Sequence, residues 1–346
     1  MILPGSIKKR VLFSLALLVF LSGCVPGAGK VSPSTEAVPE EKRLTLYTSH
    51  KEEVYGPIVK EFEERTGIWV DVHAGGTTEL LEIIGEEQKK GQSACDVMFG
   101  GGVESYEASR EYFEPYRVAA KDKLNERYVS RDDCWTAFTE LPIVLIYNNK
   151  LVGEDEAPDG FGELFSDSWR GKIAFADPAN SGSSCTMLAT MVQILGMSED
   201  ETLERFAGAL DGHMAESSGE AVEEVAAGRR LVGITLEETA KKWIARGADL
   251  AIVYPKEGTS ALPDGCAIVK AAPHMENAEL FLEFIVSDDV QRFCVEHLYR
   301  RSVRLDMASG REKEAGRIVD FDLTQAAAGQ ETILKKWAGL MNEEHD

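Results

Sequence analysis

From Arg43 onward the chain alternates short strand-like runs with helical ones, and this alternation restricts its fold more than any other feature. "RLTLYTSH" is a short apolar strand; Val54, Ile58, Val59 and Phe62 mark one face of a helix stopping at Gly67; "IWVDVH" alternates like a half-buried strand. "AGGTTELLEII" turns at Gly75 and Gly76 and opens a helix carrying Leu80, Leu81, Ile83 and Ile84, and "CDVMFGGG" is a strand ending in glycines. Three strand-to-helix units in succession predict a parallel sheet with helices on both faces, hence an α/β fold.

Farther along, the texture changes. "LPIVLIYNN" (141–149) is an apolar strand leading into a segment with Asp, Gly and Trp that ends in "WRGKIAFADP", and here the chain is expected to cross into a second lobe. That lobe continues through a helix over Met187 to Leu195, the "RLVGIT" strand, a helix around Ala240 to Arg246 and the "LAIVYP" strand. "CAIVKAAP" is the expected return crossing, and "NAELFLEFIVSDDVQRFCVEHL" then has the pattern of amphipathic helix. The expected division is lobe 1 over 43–145 plus 268–346 and lobe 2 over 146–267.

Residues 1–23 have a basic cluster, Lys8, Lys9 and Arg10, followed by an apolar run from Val11 to Leu21 and small residues. This is the pattern of a secretory signal peptide, its apolar core too short to span a bilayer comfortably. The stretch after Cys24 is rich in Pro, Gly, Ser, Ala and Glu without apolar period, so 24–42 reads as a tether. Five further cysteines, Cys95, Cys134, Cys185, Cys266 and Cys294, stand at irregular spacing without a C-x-x-C pair. At most two disulfides fit, and the spacing leaves their pairing open.

With 37 Lys+Arg against 59 Asp+Glu, the net charge is -22, which argues against nucleic acid as a partner. Any anion must be read locally. The stretch "ADPANSGSSC" (176–185) is suited to that: a strand runs into small hydroxylated residues at the mouth of a helix, where unpaired N–H groups and the helix dipole converge. Asn180 precedes Ser181, a candidate N-cap; Gly182 permits close approach; Ser183 and Ser184 offer hydroxyl and backbone donors. Thr77 and Thr78 follow a Gly–Gly turn at another helix start, and Thr48, Ser49 and His50 end the first strand. Glu237 and Glu257 follow strand ends and are expected to face the same place, accepting hydroxyls or binding an ammonium. Arg301, in "YRRSVR", is the expected cation for the anion, with Arg300 and Arg304 as equal candidates. No G-x-S-x-G, G-x-x-x-x-G-K-[ST], H-E-x-x-H or G-x-G-x-x-G motif is present, so no cofactor and no enzymatic chemistry are expected.

Taken in order, "LYTSHKEEVYGPIVKEFEERTGIWV", "GGTTELLE", "CDVMFGGG", "LIYNNKLV", "WRGKIAFADPANSGSS", "GRRLVGIT", "VYPKEG" and "YRRSVR" resemble the extracytoplasmic solute-binding proteins of ABC importers, in the branch with ferric-ion, sugar-phosphate and aminophosphonate binders. The resemblance implies a type II periplasmic-binding-protein fold: two α/β lobes, a two-strand hinge, a ligand cleft between them and a membrane permease as partner. "LSGC" resembles the lipobox of bacterial lipoproteins, which implies a lipidated Cys24 and a membrane-anchored, extracytoplasmic protein, expected to be a monomer. The ferric branch is similar at "SHKE", where its histidine ligand corresponds to His50. It differs where that branch has an acidic ligand, matched here by Gly101, and tandem tyrosines, matched by the "LEET" stretch from Leu236 to Thr239. The expected ligand is therefore a small anionic solute, foremost a phosphorylated sugar or related organophosphate. The alternative is ferric iron held by His50, Glu237 and Glu238, followed by an aminophosphonate or a polyamine.

Overall fold

The computed structural model describes residues 38–307 and 316–343; the expected leader, Cys24 and the tether up to residue 37 lie outside the described residues. The end of the expected tether is fastened down rather than loose. Glu40–Lys42 form a 3-10 turn, and Asn277 Nδ2 donates to the Glu41 carbonyl at 3.1 Å.

The first lobe begins with β1 (Arg43–Thr48), α1 (Glu52–Thr66), β2 (Trp69–Ala74), α2 (Thr77–Lys89), β3 (Val97–Gly102) and the short α3 (Val103–Ala108), followed by β4 (Phe113–Glu114) and β5 (Thr136–Glu140). Helix α1 buries Val54, Ile58, Val59 and Phe62, the stripe that its sequence spacing predicts, and stops at Gly67, whose φ of 66° is the left-handed conformation glycine adopts without strain. The second lobe holds β6 (Ile143–Asn148), β7 (Ile173–Ala174), α4 (Gly182–Ile194), α5 (Glu199–Leu210), α6 (Ser218–Ala226), β8 (Val232–Leu236), α7 (Glu237–Ala245) and β9 (Leu250–Val253). The chain returns with β10 (Pro263–Val269), α8 (Met275–Ile285), α9 (Asp288–His297) and β11 (Arg301–Ser302), and ends in α10 (Leu323–Glu343). The amphipathic run expected as one helix is broken at Ser287, where α9 starts afresh with Asp288 and Asp289 in its first turn.

Among the described residues seven strands form the first sheet, in the order β11-β5-β10-β3-β1-β2 with β4 beside β10; four form the second, β7-β8-β6-β9. Only β2, β1 and β3 make the expected parallel set. Strand β10 comes back from the second lobe in the opposite direction and wedges antiparallel between β3 and β5, so the sheet is mixed.

The crossings differ from the expected ones. Ile143–Asn148 belongs wholly to the second sheet, so the first crossing is at Leu141 and Pro142; Pro263–Val269 belongs to the first sheet, so the return lies between β9 and β10. A further segment runs beside this return, since Thr259 N donates to the Arg317 carbonyl and Val319 N to the Thr259 carbonyl. It delivers α10 to the second lobe, where Ala326, Ile333, Trp337 and Met341 join the core around Phe175 and Phe206. Residues 323–343 therefore bridge the lobes, burying an apolar face in the second core while packing against α3 of the first.

Candidate functional site

A cleft of about 750 Å³ lies between the lobes. From the first lobe it is lined by Ser49, His50, Thr77, Thr78, Gly101, Asp264 and Arg300, and from the second by Asn180, Ser181, Gly182, Ser183, Ser217 and Ser218. The starts of α2, α4 and α6 thus meet on one space, each bringing small hydroxylated residues and first-turn N–H groups that have no partner within the helix.

Glycines at the end of β3 allow this approach. Gly100 and Gly101 have φ of 101° and 86°, and a Cβ on Gly101 would lie 2.7 Å from the Thr77 side chain. An acidic ligand at position 101 has no room without displacing Thr77. Thr48 is fully buried and supports the floor: its Oγ1 donates to the Phe99 carbonyl at 2.8 Å and accepts from His50 N at 3.2 Å.

His50 is strongly perturbed. Its ring packs edge-on against Phe99 and Phe138, and this burial, with the nearby Arg300 and Lys242 charges, outweighs Asp264 and lowers its pKa to about 3. It is therefore neutral at physiological pH. Nε2 is 3.3 Å from Asp264 Oδ2 but out of hydrogen-bonding alignment, so this buried nitrogen has no hydrogen-bond partner.

Asp264 owes its position to a bulge, the register of β10 shifting between Asp264 and Cys266 against β3. Oδ1 accepts from Thr139 N at 2.8 Å and Thr139 Oγ1 at 2.7 Å, while Oδ2 takes Arg300 Nη1. Arg300 is only 7% exposed; burial opposes its charge, but Asp264 and Glu238 outweigh that and raise its pKa. Its Nε is buried without a partner. His50 Nε2 and Arg300 Nε are thus held in place without hydrogen-bond partners.

Several expected contacts go elsewhere. Arg301 turns from the cleft to Glu237, Nε to Oε2 at 2.7 Å, with Glu140 3.5 Å from Nη1. Glu237 is 1% exposed; burial works against its charge, yet Arg301, Lys241 and Tyr254 outweigh that and hold its carboxyl below the usual range. It ties the lobes together rather than lining the cleft. Glu257 accepts from the backbone N–H of Phe161 and Gly162 and caps a turn. Ser184 points inward, its Oγ donating to Ser181 Oγ at 3.0 Å and its N–H to the same atom at 3.3 Å, so it completes the helix cap. Glu238, of the alternative metal set, pairs with Lys242 at 2.8 Å. Among the described residues no three His, Cys, Asp or Glu side chains converge as a metal-holding group. The five cysteines expected to offer up to two disulfides are all buried free thiols.

These observations describe a cleft lined with hydrogen-bond donors between two α/β lobes. The profile of the bacterial extracellular solute-binding protein family matches residues 93–322. The chain belongs to that family. It is accordingly the extracytoplasmic substrate-binding component of an ABC importer, working with a membrane permease. Iron uptake protein A1 of Synechocystis sp. is 27% identical over 304 residues, covering 82% of this chain and 81% of that protein. Among solved structures, periplasmic binding protein AfuA of Actinobacillus pleuropneumoniae, with exogenous fructose-6-phosphate bound, superposes with a TM-score of 0.77 at 22% identity, over 87% of this chain and 98% of that one. The ferric binding protein of Campylobacter jejuni gives 0.77 at 19% identity, over 86% and 99%. These likenesses establish the type II periplasmic-binding fold.

Proposed function

We propose that this solute-binding protein captures a small organophosphate, foremost a phosphorylated sugar, and delivers it without turnover. One observation carries the reading: three helix N-termini with their Ser and Thr side chains face one cleft beside a guanidinium and a neutral imidazole. Such a site supplies directed donors to a phosphate. The phosphate sits at Asn180, Ser181 and Ser183, with Thr77, Thr78, Ser49, His50 and the Gly101 backbone facing it. The AfuA structure with fructose-6-phosphate bound, among the structural neighbours, agrees with this.

The test is calorimetric titration with hexose phosphates, the parent hexoses, inorganic phosphate and 2-aminoethylphosphonate. Ser183→Asp places a fixed negative charge where the phosphate belongs, on a residue type that a helix start tolerates. Losing even two charge-assisted hydrogen bonds, at about 1.5–3 kcal/mol each, weakens binding by about a hundredfold or more. Wild type that binds hexoses and hexose phosphates equally would sink the reading, and so would unchanged binding by the variant.

The second reading is ferric iron, favoured by the iron uptake proteins among the relatives. The cleft opposes it: a trivalent cation would meet the Arg300 guanidinium, and the Glu237 carboxylate is already spent on Arg301 and Lys241. Near-stoichiometric iron by elemental analysis, with a visible charge-transfer band lost in His50→Ala, would reverse the ranking. We further infer a monomer held at the membrane by a lipidated Cys24.

A further inference from the structure

One cleft-lining side chain is used by nothing described so far. Glu104, the second residue of α3, folds back over Gly102, where a Cβ would lie 2.3 Å from each carboxylate oxygen. Its Oε1 accepts from Thr186 Oγ1, in the other lobe, at 2.7 Å. Its Oε2 is buried with no hydrogen-bond partner. Beside it lies a recess of about 10 Å³ that shares Glu104, Cys185, Thr186, Leu262 and Gln330 with the cleft and is otherwise walled by Ala189, Phe321, Ala326 and Ile333. That is room for about one water-sized group. An acceptor left unpaired in such a place costs stability unless something fills its valence, and the only occupant that fits is a hydrogen-bond donor from solvent or ligand.

We propose that Glu104 reads a hydroxyl of the bound solute, next to the start of α4, to which Thr186 links it. The proposal rests on the organophosphate reading and names the rest of its ligand. A hydroxyl needs one acceptor for its one proton, which Oε2 supplies; an ammonium carries three donors, which the mostly apolar walls of the recess do not match. Glu104 is therefore the residue that separates phosphorylated sugars from inorganic phosphate, while α4 and Arg300 hold what the two share.

The experiment compares Glu104→Met and Glu104→Gln with wild type, titrating a hexose phosphate and inorganic phosphate and recording the melting temperature of ligand-free protein. Met keeps the length and removes the acceptor, so hexose phosphate affinity falls about ten- to a hundredfold while inorganic phosphate affinity stays. Gln presents an N–H₂ to a hydroxyl that can turn and accept, so its loss is smaller than that of Met. Thr186 Oγ1 keeps the Gly182 carbonyl at 3.2 Å as an acceptor, so the ligand-free Met variant melts no lower than wild type. A lowered melting temperature, or equal loss of both ligands, would make Glu104 a strut between the lobes and overturn the proposal. Unchanged hexose phosphate affinity in the Met variant overturns it too. Wild type that binds no phosphorylated sugar at all refutes the organophosphate reading itself, and the hydroxyl falls with it.

Discussion

The buried pair of Asp264 and Arg300 should dominate the stability of the cleft floor, and Asp264→Asn isolates it. Asn keeps the size and the oxygen that accepts from Thr139 N and Oγ1. What it removes is the negative charge against Arg300, leaving an amide N–H₂ facing a guanidinium that is 7% exposed. Breaking a buried pair from one side costs about 3–5 kcal/mol, because the remaining charge stays desolvated. Glu238, 3.9 Å from Arg300 Nη2, offsets part of this, which places the expected loss near the lower end. His50 gives no relief, since the Asp264 charge is what raises its pKa and removing that charge leaves the ring more firmly neutral. At about 2–4 °C per kcal/mol for a chain of this order, the ligand-free variant should melt about 6–12 °C below wild type. Circular dichroism melts of dialysed protein read this directly. Replacing both partners, Asp264→Asn with Arg300→Met, should restore much of the loss. A hexose phosphate that enters beside Arg300 supplies the missing charge, so its stabilising shift should be larger in the single variant than in wild type. A single variant melting within about 3 °C of wild type, or a double variant no better than the single, would refute the reasoning.

Two further outcomes are expected. His274 Nδ1 is 2.8 Å from Asp96 Oδ2 and Nε2 is 3.3 Å from Glu40 Oε1; burial works to lower its pKa, but Asp96 and Glu40 together raise it above the ordinary 6.5. Its contribution is therefore complete below about pH 6.5 and lost as pH rises through the folded value, so the melting-temperature gap between wild type and His274→Gln should narrow from pH 6 to 9, and a constant gap would count against it. For the lipid anchor, Cys24→Ala should move the protein from the membrane to the soluble fraction on cell fractionation, and retention like wild type would exclude it.

What was legible in the sequence was local. Ser49, His50, Thr77, Thr78, Asn180, Ser181 and Ser183 stand where strands end or helices begin, and the structure brings all of them to one cleft. The residues placed elsewhere depend on pairings that local pattern does not carry. Arg300 and Arg301 are neighbours on an extended segment, so their side chains point to opposite sides. Which one faces the cleft is set by the register of β11 on β5, where Arg301 stands opposite Glu140, and nothing in "YRRSVR" states that register. Asp264 was passed over for the same reason, since a bulge between β3 and β10 aims it. Ser183 and Ser184 differ by about 100° around α4, and that turn sends one hydroxyl to the cleft and the other back to Ser181.

On the proposed function, the cleft also accounts for how so acidic a chain would hold an anion. Its donors are backbone N–H groups, hydroxyls and an imidazole kept neutral by burial, and Arg300 arrives already balanced by Asp264. Little net charge is brought in, so binding is decided by where the donors point rather than by the field of the whole molecule. A net charge of -22 repels an anion during approach and slows encounter, while the oriented donors act only after arrival and slow escape. Selection between a phosphate and any other anion of equal charge would, on that reading, lie in the geometry at Ser181, Ser183, Thr77 and Thr78. Selection between one phosphate ester and another would, on the proposed reading, fall to Glu104, which Thr186 links to the start of α4.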